Sequence, residues 1–164
     1  MAVQQTLENI DFVHNMVAKY PETFQYCETA DDADKAFAAK KITSFIGMEG
    51  GCSIGNSLGV LRMMHKLGCR YMTLTHNGHL PWADSALSGR GQPAEPSAHG
   101  GLSAFGKEVV REMNRLGMMV DLVSPLPLLL QGCCACSTSA SSPGSEAATR
   151  CSQMCGSSRQ RAET

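Results

Sequence analysis

The chain has 164 residues, with 14 Lys and Arg against 15 Asp and Glu, and a formal net charge of −1. That length supports one domain with a buried core, and a near-neutral, mixed-sign surface gives no electrostatic case for nucleic acid or an anionic membrane as partner. No apolar run approaches the roughly 20 residues of a membrane span. The polar, periodic N-terminus MAVQQTLENIDFVHNM lacks the apolar core of a signal peptide, so a cytoplasmic location is expected. Without a secretory signal, the eight cysteines are expected to be free thiols.

In chain order, Val3, Leu7, Ile10, Val13, Val17 and Tyr20 recur at helical spacing and Pro21 follows, which predicts a first helix. Thr29 is placed to cap a second helix running through Ala39, with Asp31 and Asp32 in its positive first turn. Ile42 to Met48 is a short β-branched and aromatic run, predicted as a buried strand. Ser57 caps a helix with Leu58, Leu61, Met64 and Leu67 on one face, and Gly68 ends it. Arg70 to Thr75 is a second strand, and Asn77 to Gly101, rich in Gly, Pro and Ser, is a long loop. Phe105, Val109, Met113 and Leu116 form the next helical face, stopped by Gly117, and Met118 to Leu122 is a third strand. Strands alternating with helices imply an α/β fold with a parallel sheet.

After Leu122 the composition changes. Residues 123–164 have no aromatic residue and no isoleucine, and are crowded with Ser, Ala, Cys and Gly. Such a segment buries too little apolar area to offset chain entropy, so a disordered tail is expected. A bolder reading is that the tail is translated out of frame or across an intron. The division is therefore 1–122 as the patterned domain and 123–164 as the tail.

The chemistry concentrates between Ile42 and Ser85. Glu49 and His76 each fall where a strand of a parallel sheet ends, and the carboxyl ends of such strands hold active sites. The plain alternatives are a solvated loop glutamate and a loop histidine bonded to backbone. Gly50 and Gly51 let the backbone turn tightly beside Glu49. His76 and His79 form an H-x-x-H pair, a weak zinc signal in a loop, while His14, His65 and His99 read as surface residues. Trp82 and Asp84 read as packing of the long loop, and the methionines as core filler. Cys133, Cys134 and Cys136 could bind a soft metal, but without histidine partners they read as oxidation-prone thiols.

The segments TLENIDFVHNMVAKYPETF, KITSFIGMEGGCSIGNSLGVLRMMHKLGCRYMTLTHNGHLPWADS and GLSAFGKEVVREMNRLGMMVDL resemble the membrane (renal) dipeptidase family of zinc dipeptidases. The resemblance runs from about Thr6 to Leu122 and implies part of an amidohydrolase-like (β/α)8 barrel, about three βα units, with two zinc ions at the carboxyl ends of its strands. It implies that Glu49, in the G-x-E-G-G motif, bridges the metals as a ligand. It implies that His76, in the L-T-H motif, binds substrate or the reaction intermediate. A dipeptide is the implied substrate, with a Cys-Gly unit from a glutathione conjugate as the expected example, as in fungal relatives that serve sulfur-containing secondary metabolism. The TADD and AKYPETF segments look closer to microbial than to vertebrate members.

The sequence also departs from the family. The H-x-D motif that opens the barrel has no counterpart here. Where the family reads D-L-S-H-V-S, this chain runs Asp121, Leu122, Val123, Ser124, Pro125, without histidine. Cys52 stands where histidine usually follows the paired glycines. A closed barrel needs around 250 residues, so sheet edges are expected to stay unpaired. A homo-oligomer, or assembly with a chain supplying the missing strands, is compatible with such edges. The alternative function is a truncated, catalytically inactive fragment or pseudoenzyme, or an interaction partner of a full-length dipeptidase.

Overall fold

Helix α1, Ala2–Lys19, turns Ile10 into the core, with Val3 and Val13 partly buried beside it. Leu7 and Tyr20, expected on the same stripe, are more than two-fifths exposed because only one side of the helix meets the rest of the protein. These observations come from a computed structural model that describes residues 2–76, 78–85 and 96–122. Residues 123–164, with their cysteine cluster, and the middle of the long loop, residues 86–95, lie outside the described residues.

After α1 the chain makes a short strand β1, Phe24–Tyr26, which the sequence reading did not anticipate. Three residues are too few for an alternating pattern. Helix α2, Ala30–Ala38, carries the expected cap as a full capping box: Thr29 Oγ1 accepts from the Asp32 N–H, and the Asp32 carboxylate accepts from the Thr29 N–H. The apolar run from Ile42 is divided into β2, Ile42–Ser44, and β3, Ile46–Glu49. β2 pairs with β1 and β3 pairs with the next strand, so the run changes neighbour at Phe45. Only the β3 half is buried as expected, since Ile42 and Phe45 are exposed.

Helix α3, Leu58–Lys66, starts at Ser57, whose hydroxyl accepts from the Val60 N–H at 3.4 Å. Leu61 and Met64 are buried, but Leu67 lies beyond the last turn and faces outward. Strand β4, Cys69–Thr73, leads into the long loop. Helix α4, Ala104–Leu116, is capped by Ser103 and ended by Gly117 in the left-handed conformation, and β5, Met119–Asp121, follows. All pairings are parallel, β1 with β2 and β3–β4–β5 in chain order. The chain therefore lays down four successive strand lines, one more than expected, with helices between them.

The two faces of the β3–β4–β5 sheet differ sharply. In paired parallel strands, residues in one register row share a face. The row Met48, Met72, Val120 points toward the helices, where Met48 and Met72 are essentially sealed with Leu61, Met64, Val109 and Met113. The rows Gly47, Tyr71, Met119 and Glu49, Thr73, Asp121 point the other way. Met119 is 60% exposed on that second face. Arg62 joins α3 to α4 through Glu112 at 3.1 Å. Among the described residues no helix is long and apolar enough to cross a membrane.

Candidate functional site

Glu49 is the last residue of β3, and the chain must turn immediately to leave the sheet. Gly50 does this with φ +108°, in the left-handed region that side chains avoid. Gly51 is needed for space: a Cβ there would fall 2.4 Å from the Trp82 ring and 2.7 Å from the Leu74 carbonyl oxygen. The Gly51 N–H donates to that same carbonyl at 3.1 Å, tying the Glu49 turn to the end of β4. The Glu49 carboxylate is left projecting, with its side chain 74% exposed.

His76 arrives on the neighbouring line, three residues beyond β4. Its Nε2 lies 3.2 Å from Glu49 Oε1. The two residues singled out from the sequence are therefore brought into direct contact at the carboxyl ends of adjacent parallel strands. His79 goes elsewhere: its Nδ1 accepts from the Ser85 N–H at 3.1 Å and lies 3.3 Å from Asp84 Oδ1. The H-x-x-H pair thus sends its two rings to different carboxylates.

The long loop behind His76 is built around Trp82 and Asp84, which do pack it as the sequence suggested. Trp82 is 1% exposed, its ring lies against Gly51 and edge-on to Phe105, and its carbonyl accepts from the Ser103 N–H. The Asp84 carboxylate gathers the Ser97 hydroxyl at 2.6 Å and the N–H groups of Ala98, His99 and Gly101 at 3.0, 3.1 and 2.9 Å. Burial pushes this carboxyl up, but the bonds from Ser97, Gly101, His99 and Ala98 outweigh it and hold it well below the usual carboxylate range. Sequence reasoning passed over two polar contacts. Thr73 donates its hydroxyl to Asp121 across the register row that also holds Glu49. Ser85 donates its hydroxyl to the His76 carbonyl at 2.9 Å. Two strand-end positions in register could have suggested the first; nothing local signals the second. Of the surface histidines, His14 is exposed yet bonded through Nε2 to the Leu67 carbonyl at 3.1 Å, and His65 is half-buried.

A bound metal needs several converging donors. Glu49 has the charge and the two oxygens of a ligand, and the exposed Cys52 thiol lies close by, 3.4 Å from where a Gly50 Cβ would stand. Yet among the described residues no group of three or more His, Cys, Asp and Glu side chains is placed to hold an ion. The donors among the described residues fit a fraction of a metal centre.

The family model for membrane dipeptidases, peptidase family M19, matches residues 1–125. Among solved structures, the chain is similar to the probable dipeptidase PvdM from Pseudomonas aeruginosa, with TM-score 0.68 and 24% identity over 77% of this chain and 32% of that one. It is similar to dipeptidase AC, a metallo peptidase of family M19, with TM-score 0.64 and 25% identity over 79% of this chain and 38% of that one. It also resembles a metallo peptidase from Rhodobacter sphaeroides liganded with a phosphinate mimic of the dipeptide L-Ala-D-Ala, with TM-score 0.58 and 24% identity over 73% of this chain and 33% of that one. The chain spans about a third of the length of these structures. Matched by one family model over most of its length, the chain belongs to the membrane dipeptidase family M19, a family of metallopeptidases.

Proposed function

We propose that the chain carries part of the active site of a zinc-dependent dipeptidase, on strands belonging to a (β/α)8 barrel. The observation that carries this reading is the 3.2 Å contact between His76 Nε2 and Glu49 Oε1 across two strand ends, in a chain of this family. Glu49 serves as the carboxylate ligand of a binuclear zinc centre, whose chemistry when loaded is the activation of water for attack on an amide. Its side chain is 74% exposed, so the carboxylate is open to solvent. His76 Nε2 is a donor for the oxygen that gains charge as the peptide carbonyl is attacked. The substrate class is a dipeptide, in keeping with the dipeptide mimic held by the Rhodobacter sphaeroides relative. Within that class we propose Cys-Gly units from glutathione conjugates, in sulfur-containing secondary metabolism.

One observation favours a second reading. With no three-donor group among the described residues, the chain is a catalytically inactive member, or a binding partner of an active dipeptidase. The two readings separate when the full chain is purified with zinc, its metal content measured by mass spectrometry, and hydrolysis of Cys-Gly and Ala-Ala followed. Stoichiometric zinc with turnover lost in Glu49→Gln supports the dipeptidase. Absence of both zinc and turnover overturns it in favour of the inactive reading.

A further inference from the structure

We propose that Ser85 is the residue that positions His76 against Glu49. The inference rests on the site reading above and concerns how its two side chains are held together.

Up to Thr75 the chain is fixed by the sheet: Leu74 and Thr75 are buried, the Leu74 N–H donates to the Asp121 carbonyl at 3.1 Å, and the Leu74 carbonyl accepts from Gly51. His76 is the first residue beyond that support, and its imidazole is 39% exposed. Exposed side chains keep a chosen rotamer only where something holds the backbone that carries them. The bond from Ser85 Oγ to the His76 carbonyl supplies this hold, from a residue nine positions on that is itself 2% exposed.

Ser85 is a firm support because of its neighbours. Asp84 fastens the far end of the loop, taking Ser97, Ala98, His99 and Gly101 on its carboxylate while its own N–H donates to the Gly101 carbonyl at 2.8 Å. Trp82 seats the near side between the Glu49 turn and the start of α4, where a Cβ on Gly106 would meet the Trp82 carbonyl oxygen at 2.3 Å. The loop that carries Ser85 is thus keyed to the same turn that presents Glu49. A shift of Ser85 would move His76 relative to Glu49; a shift of the whole loop would carry both.

The test uses the full chain with 15N-labelled histidine, observed by NMR at a single alkaline pH. Glu49→Gln is expected to move the His76 ring-nitrogen signals. Ser85→Ala, and the isosteric Ser85→Cys should the alanine variant fold poorly, are expected to cut that response at least about twofold, with Ser85→Thr restoring it. Thr29→Ala removes the cap of α2, outside the loop that carries Ser85, and is expected to leave the response in place. The proposal is overturned by an unchanged response in Ser85→Ala or Ser85→Cys, by an equal loss in Thr29→Ala, or by a His76 ring indifferent to Glu49→Gln in the parent. Zinc content and hydrolysis play no part in this measurement, so failure of the dipeptidase reading stays separable from failure of this one.

Discussion

The face of the β3–β4–β5 sheet that meets the helices and the face that looks away from them are made from the same alternating strands, yet they divide the protein's tasks. Toward the helices stand Met48 and Met72, sealed against α3 and α4. On the other face stand Met119, Tyr71 and Gly47 in one row and Glu49, Thr73 and Asp121 in the next. Among the described residues, the side chains singled out for chemistry, Glu49 and His76, lie on the second face or in the loops that rise from its carboxyl edge. The difference teaches that stability and chemistry are separable here at the level of single positions, because the side-chain period of a strand is two.

The largest expected effect tests whether the loop belongs with the packed face. Trp82 is a fully buried aromatic bridging the Glu49 turn and α4, so Trp82→Ala should destabilise by about 3–5 kcal/mol through the cavity it leaves. A urea unfolding midpoint close to that of the parent would show that the loop is not part of the cooperative core.

The next comparison sets one face directly against the other. Met72→Ala should cost about 2–4 kcal/mol, whereas Met119→Ala, on the adjacent strand but the open face, should change stability by less than about 1 kcal/mol. Equal costs in matched urea titrations would mean that the open face is covered in solution, by residues outside those described or by another chain.

Much of this division was legible in the sequence, and where it was not the reasons are physical. Thr29 and Ser57 announced their helices because capping is local chemistry, read from a hydroxyl and the turn that follows it. β4 and β5 were legible as apolar runs between helices. β1 was missed because Phe24–Tyr26 is shorter than any period. The break at Phe45 depends on which strand lies alongside, which no local pattern encodes. Glu49 and His76 could be assigned to strand ends, but their contact depends on the parallel register Glu49 to Thr73, a long-range property. The Ser85 bond to His76 spans nine residues of irregular loop and leaves no periodic trace.

A moderate effect, and one with a definite pH dependence, attaches to Asp84. Its carboxyl is held below the usual range in the folded protein by the four donors it gathers. The unfolded chain therefore binds the proton more readily, and the carboxylate's contribution is complete above the ordinary aspartate value of about 3.9. It drains away as pH falls below that value toward the folded one. Asp84→Asn keeps the shape but loses the charge and one acceptor, and should cost about 2–3 kcal/mol at pH 7. The stability gap between parent and variant should narrow between about pH 4 and pH 2.5. A gap that stays constant on acidification would mean that the staple does not depend on an ionised carboxylate.

The smallest expected effect on stability comes from the residue proposed as the metal ligand. Glu49 is mostly exposed, and the histidine it contacts is itself partly in water. Surface pairs of this kind contribute little, so Glu49→Gln should leave the unfolding midpoint within about 0.5 kcal/mol of the parent. The same substitution removes the negative charge that a carboxylate ligand supplies, so zinc retention and any dipeptide turnover should fall together. That combination, a silent change in folding with a large change in metal binding, is what a residue on the open face should show and a residue on the packed face should not. A Glu49→Gln chain that unfolds readily would place Glu49 among the structural residues and erase the contrast between the two faces at the position where it matters most.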